Sequence, residues 1–185
     1  MKTDQKNLYL HVDGDYFFVA CELTTHPELK GKAVVVGEDR GIAVAMSPEA
    51  KALGVTRGMP VFQIKKLYRE VVMLPHHFDL YEEISRKLQN ILLSYCTKIE
   101  VYSIDECFAL VEPHEIKFFR NPERFISALK KEVEKTLGVS YSYGLAHTKT
   151  LAKQASKLDK PAGSVILLSK EDEITALKQT AMEDI

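Results

Sequence analysis

An α+β fold is predicted by three observations: short runs that alternate in polarity as strands do, longer runs with the helical apolar period and clear end signals, and their order along the chain. The first run, LYLHVDGD, puts Leu8, Leu10 and Val12 on one side and Tyr9, His11 and Asp13 on the other. It reads as a strand that packs on helices through its even positions, with Asp13 on the open face at its C-terminal end, just before a close turn at Gly14. YFFVACEL reads as the first turns of a buried helix. AVVV (33–36) and IAVA (42–45), separated by GEDRG, read as two strands joined by a turn. SPEAKALGV offers Ser47 as N-cap, Pro48 at N1 and Gly54 as a stop, and MPVFQIKKL again has a proline at a helix start. VVML (71–74) is a further strand.

Residues 78–95 carry apolar side chains at 80, 84, 88, 91, 92 and 95, the pattern of a long amphipathic helix. NPERFISALKKEVEKTLG is bounded more sharply, by Asn121 as cap, Pro122 at N1 and Gly138 as terminator, with Phe125, Leu129 and Val133 as its stripe. KIEVYS and CFALV are strands flanking Ile104, Asp105 and Glu106. SYSYGLA is a strand, TKTLAKQASKL a helix and SVILL a last strand. The order begins as a ferredoxin-like β-α-β-β series with residues 16–76 inserted after its first strand. The expectation is an antiparallel-rich sheet with helices on one face, built from residues 1–15 and 77–185, and a small inserted α/β lobe.

Composition sets the outer bounds. At 185 residues, 45% hydrophobic and 28% charged, the chain has an ordinary globular make-up. No run of about 18 apolar residues is present and MKTDQKN lacks the apolar core of a leader, so no membrane partner and a cytoplasmic location are expected. Cys21, Cys96 and Cys107 are odd in number and scattered, which argues for reduced thiols and against a disulfide frame or structural zinc. A net charge of −1 does not announce a nucleic-acid binder, but a balanced total can conceal a local basic face.

Asp13, Asp105 and Glu106 are the chemical centre of the sequence. Neighbouring carboxylates repel unless a counter-ion meets them, and hard divalent cations bind such oxygens alongside substrate phosphates. The three could seat two metals of the kind that clamp attacking and leaving oxygens in phosphoryl transfer. The alternative is a pair of solvated acidic turns. Lys149, Lys153 and Lys157 recur every fourth residue on one helix, with Lys160 after it. That stripe is either a solvated face or a set of phosphate contacts.

Four segments in order, HVDGDYFFVACE, SPEAKALGVTRGMP, VYSIDECFALV and GLAHTKTLAKQASKLDKPAG, resemble the palm and fingers of the Y-family, lesion-bypass DNA polymerases, most closely the UmuC-like branch. The resemblance spans the chain from Leu8 onward. It implies a palm at 1–15 and 77–185 and fingers at 16–76, with the family's thumb and little-finger domains absent from this chain. It implies that Asp13, Asp105 and Glu106 bind two Mg²⁺ ions, with Mn²⁺ as an alternative, and that the Gly14 carbonyl is a further ligand. Tyr16 and Phe17 then lie where backbone amides meet a deoxynucleoside triphosphate, Phe18 at the position that excludes a 2′-hydroxyl, and Lys51 and Lys160 at cationic positions facing the triphosphate. Pro48 and Lys51 stand where many members have Tyr and Arg, so a hydroxyl contact and a bidentate fork are missing. The implied activity is template-directed transfer of dNMP to a primer 3′-hydroxyl on primer-template DNA. Sliding-clamp or other replisome contacts are expected through regions outside this chain, and nucleoid association if the source is bacterial. A weak or silent DNA- or polymerase-associated module is the alternative, and a nucleotidyl cyclase is disfavoured because no GGDEF-like hairpin occurs.

Overall fold

β1 (Leu8–Gly14) is the middle of a five-stranded sheet, and every other element of that unit is arranged about it. The computed structural model describes residues 7–179. MKTDQK and TAMEDI, on which the leader and chain-end readings fall, lie outside the described residues. Two compact units result. One takes the chain up to Asp15 and again from Ser85, and the other is Tyr16–Ile84. The second crossing thus falls inside a helix at 84/85, where the sequence reading put it at 76/77.

In the sheet unit the elements are β1, the helix α4 (Phe78–Tyr95, whose first turns belong to the other unit), β5 (Lys98–Val101), β6 (Glu106–Val111), α5 (Pro113–Phe119), α6 (Pro122–Leu137), β7 (Tyr141–Ala146), α7 (Lys149–Leu158), β8 (Ser164–Leu167) and α8 (Lys170–Gln179). Strand order is β5-β6-β1-β7-β8, with β1 antiparallel to both β6 and β7 and only β8 running parallel to its neighbour. The α+β class and the antiparallel-rich sheet are as the sequence reads. α6 starts and stops on its end signals: the Asn121 side chain accepts the Arg124 N–H at 2.9 Å, and Gly138 ends it at φ 65°.

Helices on one face only was the expectation, and here the structure differs. Leu10 and Val12 are fully buried, but so is His11 on the opposite side of the strand. α7 lies over that side. Its Ala152 and Ala155 pack with Ala146, Leu167 and Tyr9, and the Ser156 hydroxyl meets His11. Gly144 on β7 makes room for the helix, because a Cβ there would lie 2.0 Å from the Ala152 carbonyl oxygen. The face expected to be open at Asp13 is therefore half roofed.

In the inserted unit α1 (Phe17–Thr25) is followed by a 3₁₀ turn (Pro27–Leu29), β2 (Val34–Val36), β3 (Ala45–Met46), α2 (Pro48–Ala52), α3 (Val61–Leu67) and β4 (Val72–Leu74). β2 is central, antiparallel to β3 and parallel to β4. Its side chains alternate: Val34 and Val36 pack with Val19 of α1, while Val35 packs with Ala50 of α2 and Ile64 of α3. That is why three consecutive valines are all fully buried. The IAVA strand is shorter than expected. Ala43 bonds Met59 and Gly58 instead of β2, and Ile42 bridges Pro60. Ser47 caps α2 as read, accepting the Ala50 N–H at 3.2 Å, and also ties Val34 N–H and the Lys32 carbonyl.

Candidate functional site

The register of β1 against β6 makes Asp13 and Glu106 direct cross-strand partners. One step further, Gly14 N–H donates to the Asp105 carbonyl at 3.0 Å, so the end of β1 is stitched to the turn between β5 and β6. That turn explains the crowded acids in an apolar run. The strand breaks at 102–105, the Ser103 hydroxyl donates to Asp105 Oδ1 at 2.6 Å, and it also accepts the Glu106 N–H at 3.1 Å. A serine two residues before an aspartate is a local turn device as much as a functional signal.

Two of the carboxylates are met by ammonium groups. Lys160 Nζ pairs with Asp13 Oδ1, and Lys153 Nζ lies 2.6 Å from Glu106 Oε2 and 4.2 Å over the Tyr102 ring. Lys149 pairs with Glu100 on β5 and sits over Phe108. The first two lysines of the α7 stripe are thus turned to the β5–β6 hairpin rather than simply solvated.

The two partnered acids respond in opposite directions. Burial pushes the Asp13 carboxyl above its ordinary range, Lys160 opposes this, and Glu106 and Asp105 add to the rise. Burial also works against ionised Glu106, but the hydrogen bond and charge of Lys153 outweigh it and hold this carboxyl below its ordinary range. The difference is one of depth: the Asp13 side chain is 12% exposed and the Glu106 side chain 20%.

His11, beneath this pair, was not singled out as a site residue. Its Nδ1 is 2.7 Å from Ser156 Oγ, which is also 2.9 Å from the Lys153 carbonyl, and its Nε2 faces Glu106 Oε2 at 3.5 Å. Burial, opposed by Glu106, lowers the ring to about 4, so it is neutral at pH 7. The clue in the sequence was its alternation: it shares a strand face with Asp13.

Among the described residues, no three His, Cys, Asp or Glu side chains converge as metal ligands. The donor set nonetheless suits a hard cation. It consists of carboxylate oxygens on adjoining backbone, includes in Asp13 a carboxyl whose ionisation burial and the neighbouring Glu106 and Asp105 oppose, and has its counter-charges on long side chains that can withdraw.

The other candidates lie in the inserted unit. Tyr16 precedes α1 in a left-handed conformation (φ 40°, ψ 44°), so the special backbone at this junction is at Tyr16 rather than Gly14. Phe17 is buried. Phe18 stacks face to face on Tyr81, with centroids 4.4 Å apart and planes 12° from parallel, and meets Phe78 edge-on. The Tyr81 hydroxyl donates at 2.5 Å to Glu22, which is also 3.0 Å from His77 Nδ1 through both oxygens. Lys51 is exposed on α2. Glu22 and Tyr81 were not read as partners, since 59 residues separate them and only folding joins them.

Residues 12–157 match the model of the impB/mucB/samB family. Three curated relatives bear the name DNA polymerase IV. The one from Desulfatibacillum aliphaticivorans is 38% identical over 164 residues, covering 88% of this chain and 41% of the relative. The one from Treponema denticola is 34% identical over 182 residues, covering 97% and 46%, and the one from Ureaplasma parvum serovar 3 is 32% identical over 170 residues, covering 90% and 47%. The chain thus spans less than half the length of these relatives. Among solved structures, an insertion ternary complex of Dbh DNA polymerase superposes with TM-score 0.86 at 28% identity, covering 96% of this chain and 53% of that one. DinB from Sulfolobus solfataricus gives 0.79 at 31% identity, covering 89% and 49%. No helix among the described residues is long and apolar enough to cross a membrane.

Proposed function

Because the chain belongs to the impB/mucB/samB family of Y-family DNA polymerases, we propose that it is the palm and fingers of a lesion-bypass polymerase, carrying out template-directed nucleotidyl transfer. The palm is residues 1–15 and 77–185 and the fingers 16–76. The observation that supports this most directly is the register that sets Asp13 opposite Glu106 and bonds Gly14 to Asp105, so that Asp13 and the distant, adjacent pair Asp105 and Glu106 are brought to one sheet end.

In this reading the primer 3′-hydroxyl loses its proton and attacks the α-phosphorus of a deoxynucleoside triphosphate. A new P–O bond forms, the bond to the β-phosphate oxygen breaks, and pyrophosphate leaves. Asp13, Asp105, Glu106 and the Gly14 carbonyl would hold two Mg²⁺ ions, or Mn²⁺ in their place. Such ions supply the positive charge that favours the attacking alkoxide and the leaving oxygen. Lys160 gives up Asp13 and turns to the triphosphate, and Lys51 adds a second point charge. Backbone amides of Tyr16 and Phe17, at the start of α1, face the phosphates. The Phe18 ring, backed by Tyr81, stands under the sugar and rejects a 2′-hydroxyl. Primer-template DNA and dNTP are the partners. Clamp or other replisome contacts would be made through regions outside this chain, and nucleoid association would follow if the source is bacterial.

The test is primer extension with Mg²⁺ by the chain and by Asp105→Ala, with Mn²⁺ binding followed by electron paramagnetic resonance. Extension and tight Mn²⁺ binding are expected in the wild type and lost in the variant. Equal extension by both rejects the assignment, and DNA binding without extension by either favours a silent module.

A further inference from the structure

Asp15 is, among the described residues of the sheet unit, an acid held almost wholly inside, with a side chain 1% exposed, and the scheme above gives it no task. Its two oxygens are divided between two donors. Oδ1 accepts the Ser142 hydroxyl at 2.7 Å, and Oδ2 accepts the Ala162 N–H, also at 2.7 Å. Oδ1 lies 3.9 Å from Lys160 Nζ, too far for a hydrogen bond. The carboxylate therefore hydrogen-bonds the backbone of the turn that carries Lys160 and lies within ion-pair range of the ammonium.

That turn needs gripping. Ala162 has φ 56°, a left-handed conformation unfavourable for a residue with a Cβ. Gly163 is confined as well, since a Cβ there would fall 1.7 Å from the Asp159 carbonyl oxygen. The remaining tethers are Lys130 Nζ on the Ala162 carbonyl, and Tyr143 N–H on the Gly163 carbonyl at 3.0 Å. Among the described residues, the Asp15–Ala162 bond and the Lys160–Asp13 pair join the turn to the end of β1, and of these two the first is made to the turn's backbone. The residue type follows from this geometry. An asparagine offers one acceptor oxygen where two donors converge, and its amide hydrogens would oppose one of them.

We infer that Asp15 is a positioning residue: it fastens the Lys160–Gly163 turn to β1 so that the Lys160 ammonium is delivered beside Asp13. Resting on the reading of Lys160 as the triphosphate's cation, this adds a cause for its placement. The acid acts through Lys160 and touches neither nucleotide nor metal. Two aspartates of the DGD run thus divide the work, Asp13 toward the ligand and Asp15 toward the loop that opposes it.

The experiment is a double-mutant cycle on the 185-residue chain, reading Mg²⁺-dATP affinity by equilibrium titration, thermal midpoint, and amide exchange at Ala162 without metal. Asp15→Asn is expected to weaken dATP binding about tenfold and to speed exchange at Ala162. Lys160→Ala is expected to weaken binding at least as much, and the double variant no more than Lys160→Ala alone. Should Asp15→Asn fail to fold, Ser142→Ala, which frees one Asp15 oxygen, is expected to give a smaller loss with the same dependence on Lys160. Losses that add in the double variant, or wild-type affinity in a folded Asp15→Asn chain beside a weakened Lys160→Ala, overturn the inference alone. Wild-type affinity in Lys160→Ala, or no dATP binding by the wild type, overturns the nucleotide reading beneath it.

Discussion

Glu22 in the inserted unit and Asp13 with Glu106 in the sheet unit are carboxylates drawn out of water, and they are compensated differently. Glu22 is fully buried and is met by the hydroxyl of Tyr81, itself fully buried, and at its edge by a nitrogen of the half-exposed His77. Tyr81 is held by its stack on Phe18, and burial, with Glu22 adding, keeps its hydroxyl protonated well above the ordinary tyrosine range. Asp13 and Glu106 are met by lysines whose side chains remain 32% and 27% exposed. A ring donor in a packed stack has nowhere else to go, whereas a lysine on a flexible stem exchanges one anion for another at small cost. The first arrangement holds a shape, and the second leaves its acids able to exchange partners.

Asp13→Asn is the strongest way to break this contrast. Mg²⁺-dependent primer extension is expected to fall by about 10³-fold or more, with thermal stability changed little because Lys160 can turn to solvent. Large unfolding in this variant would mean that the sheet-unit acids are structural too. Next is Glu22→Ala, expected to lower unfolding free energy by about 2–4 kcal/mol in urea melts, since the buried Tyr81 hydroxyl loses its acceptor. Tyr81→Phe keeps the ring and removes only the hydroxyl, with an expected loss of about 1–2 kcal/mol by the same measurement.

Thiols locate these effects. Cys21 lies in the inserted unit and Cys96 and Cys107 in the sheet unit; all three are buried thiols outside any disulfide. Burial lifts the Cys96 and Cys107 thiols to about 12 and 11. At pH 8 none should react with a thiol reagent in the native chain, and Glu22→Ala should speed labelling at Cys21 first. The smallest effect is at Asp39, exposed and paired with Lys65: Asp39→Ala should leave the thermal midpoint where it is.

Legibility in the sequence followed the range of the physics. α6 was readable to the residue because Asn121, Pro122 and Gly138 act on their own helix ends. α5 was missed, although Glu112, Pro113 and Glu115 form a capping box, because its seven residues carry no lasting stripe. α8 was missed because it is polar nearly all round and, of its described side chains, only Ala176 is buried. The acids and the lysine stripe both stood out, but not which lysine meets which acid, nor the roofing of His11 by α7. Those depend on which strands lie side by side and on the small residues Gly144, Ala152 and Ala155 that let a helix descend onto the sheet. The joining of Asp15 to Ala162 across 147 positions is of the same kind.

The central place of β1 bears on how this chain is born. It is made well before the strands that flank it, β6 and β7, which end at Val111 and Ala146. At common translation speeds both its edges stay bare for on the order of ten seconds, while the locally connected 16–84 unit can already fold. A nascent chain stalled before β6 would thus offer LYLHV as sticky, edge-exposed peptide, the species on which a ribosome-bound chaperone would act.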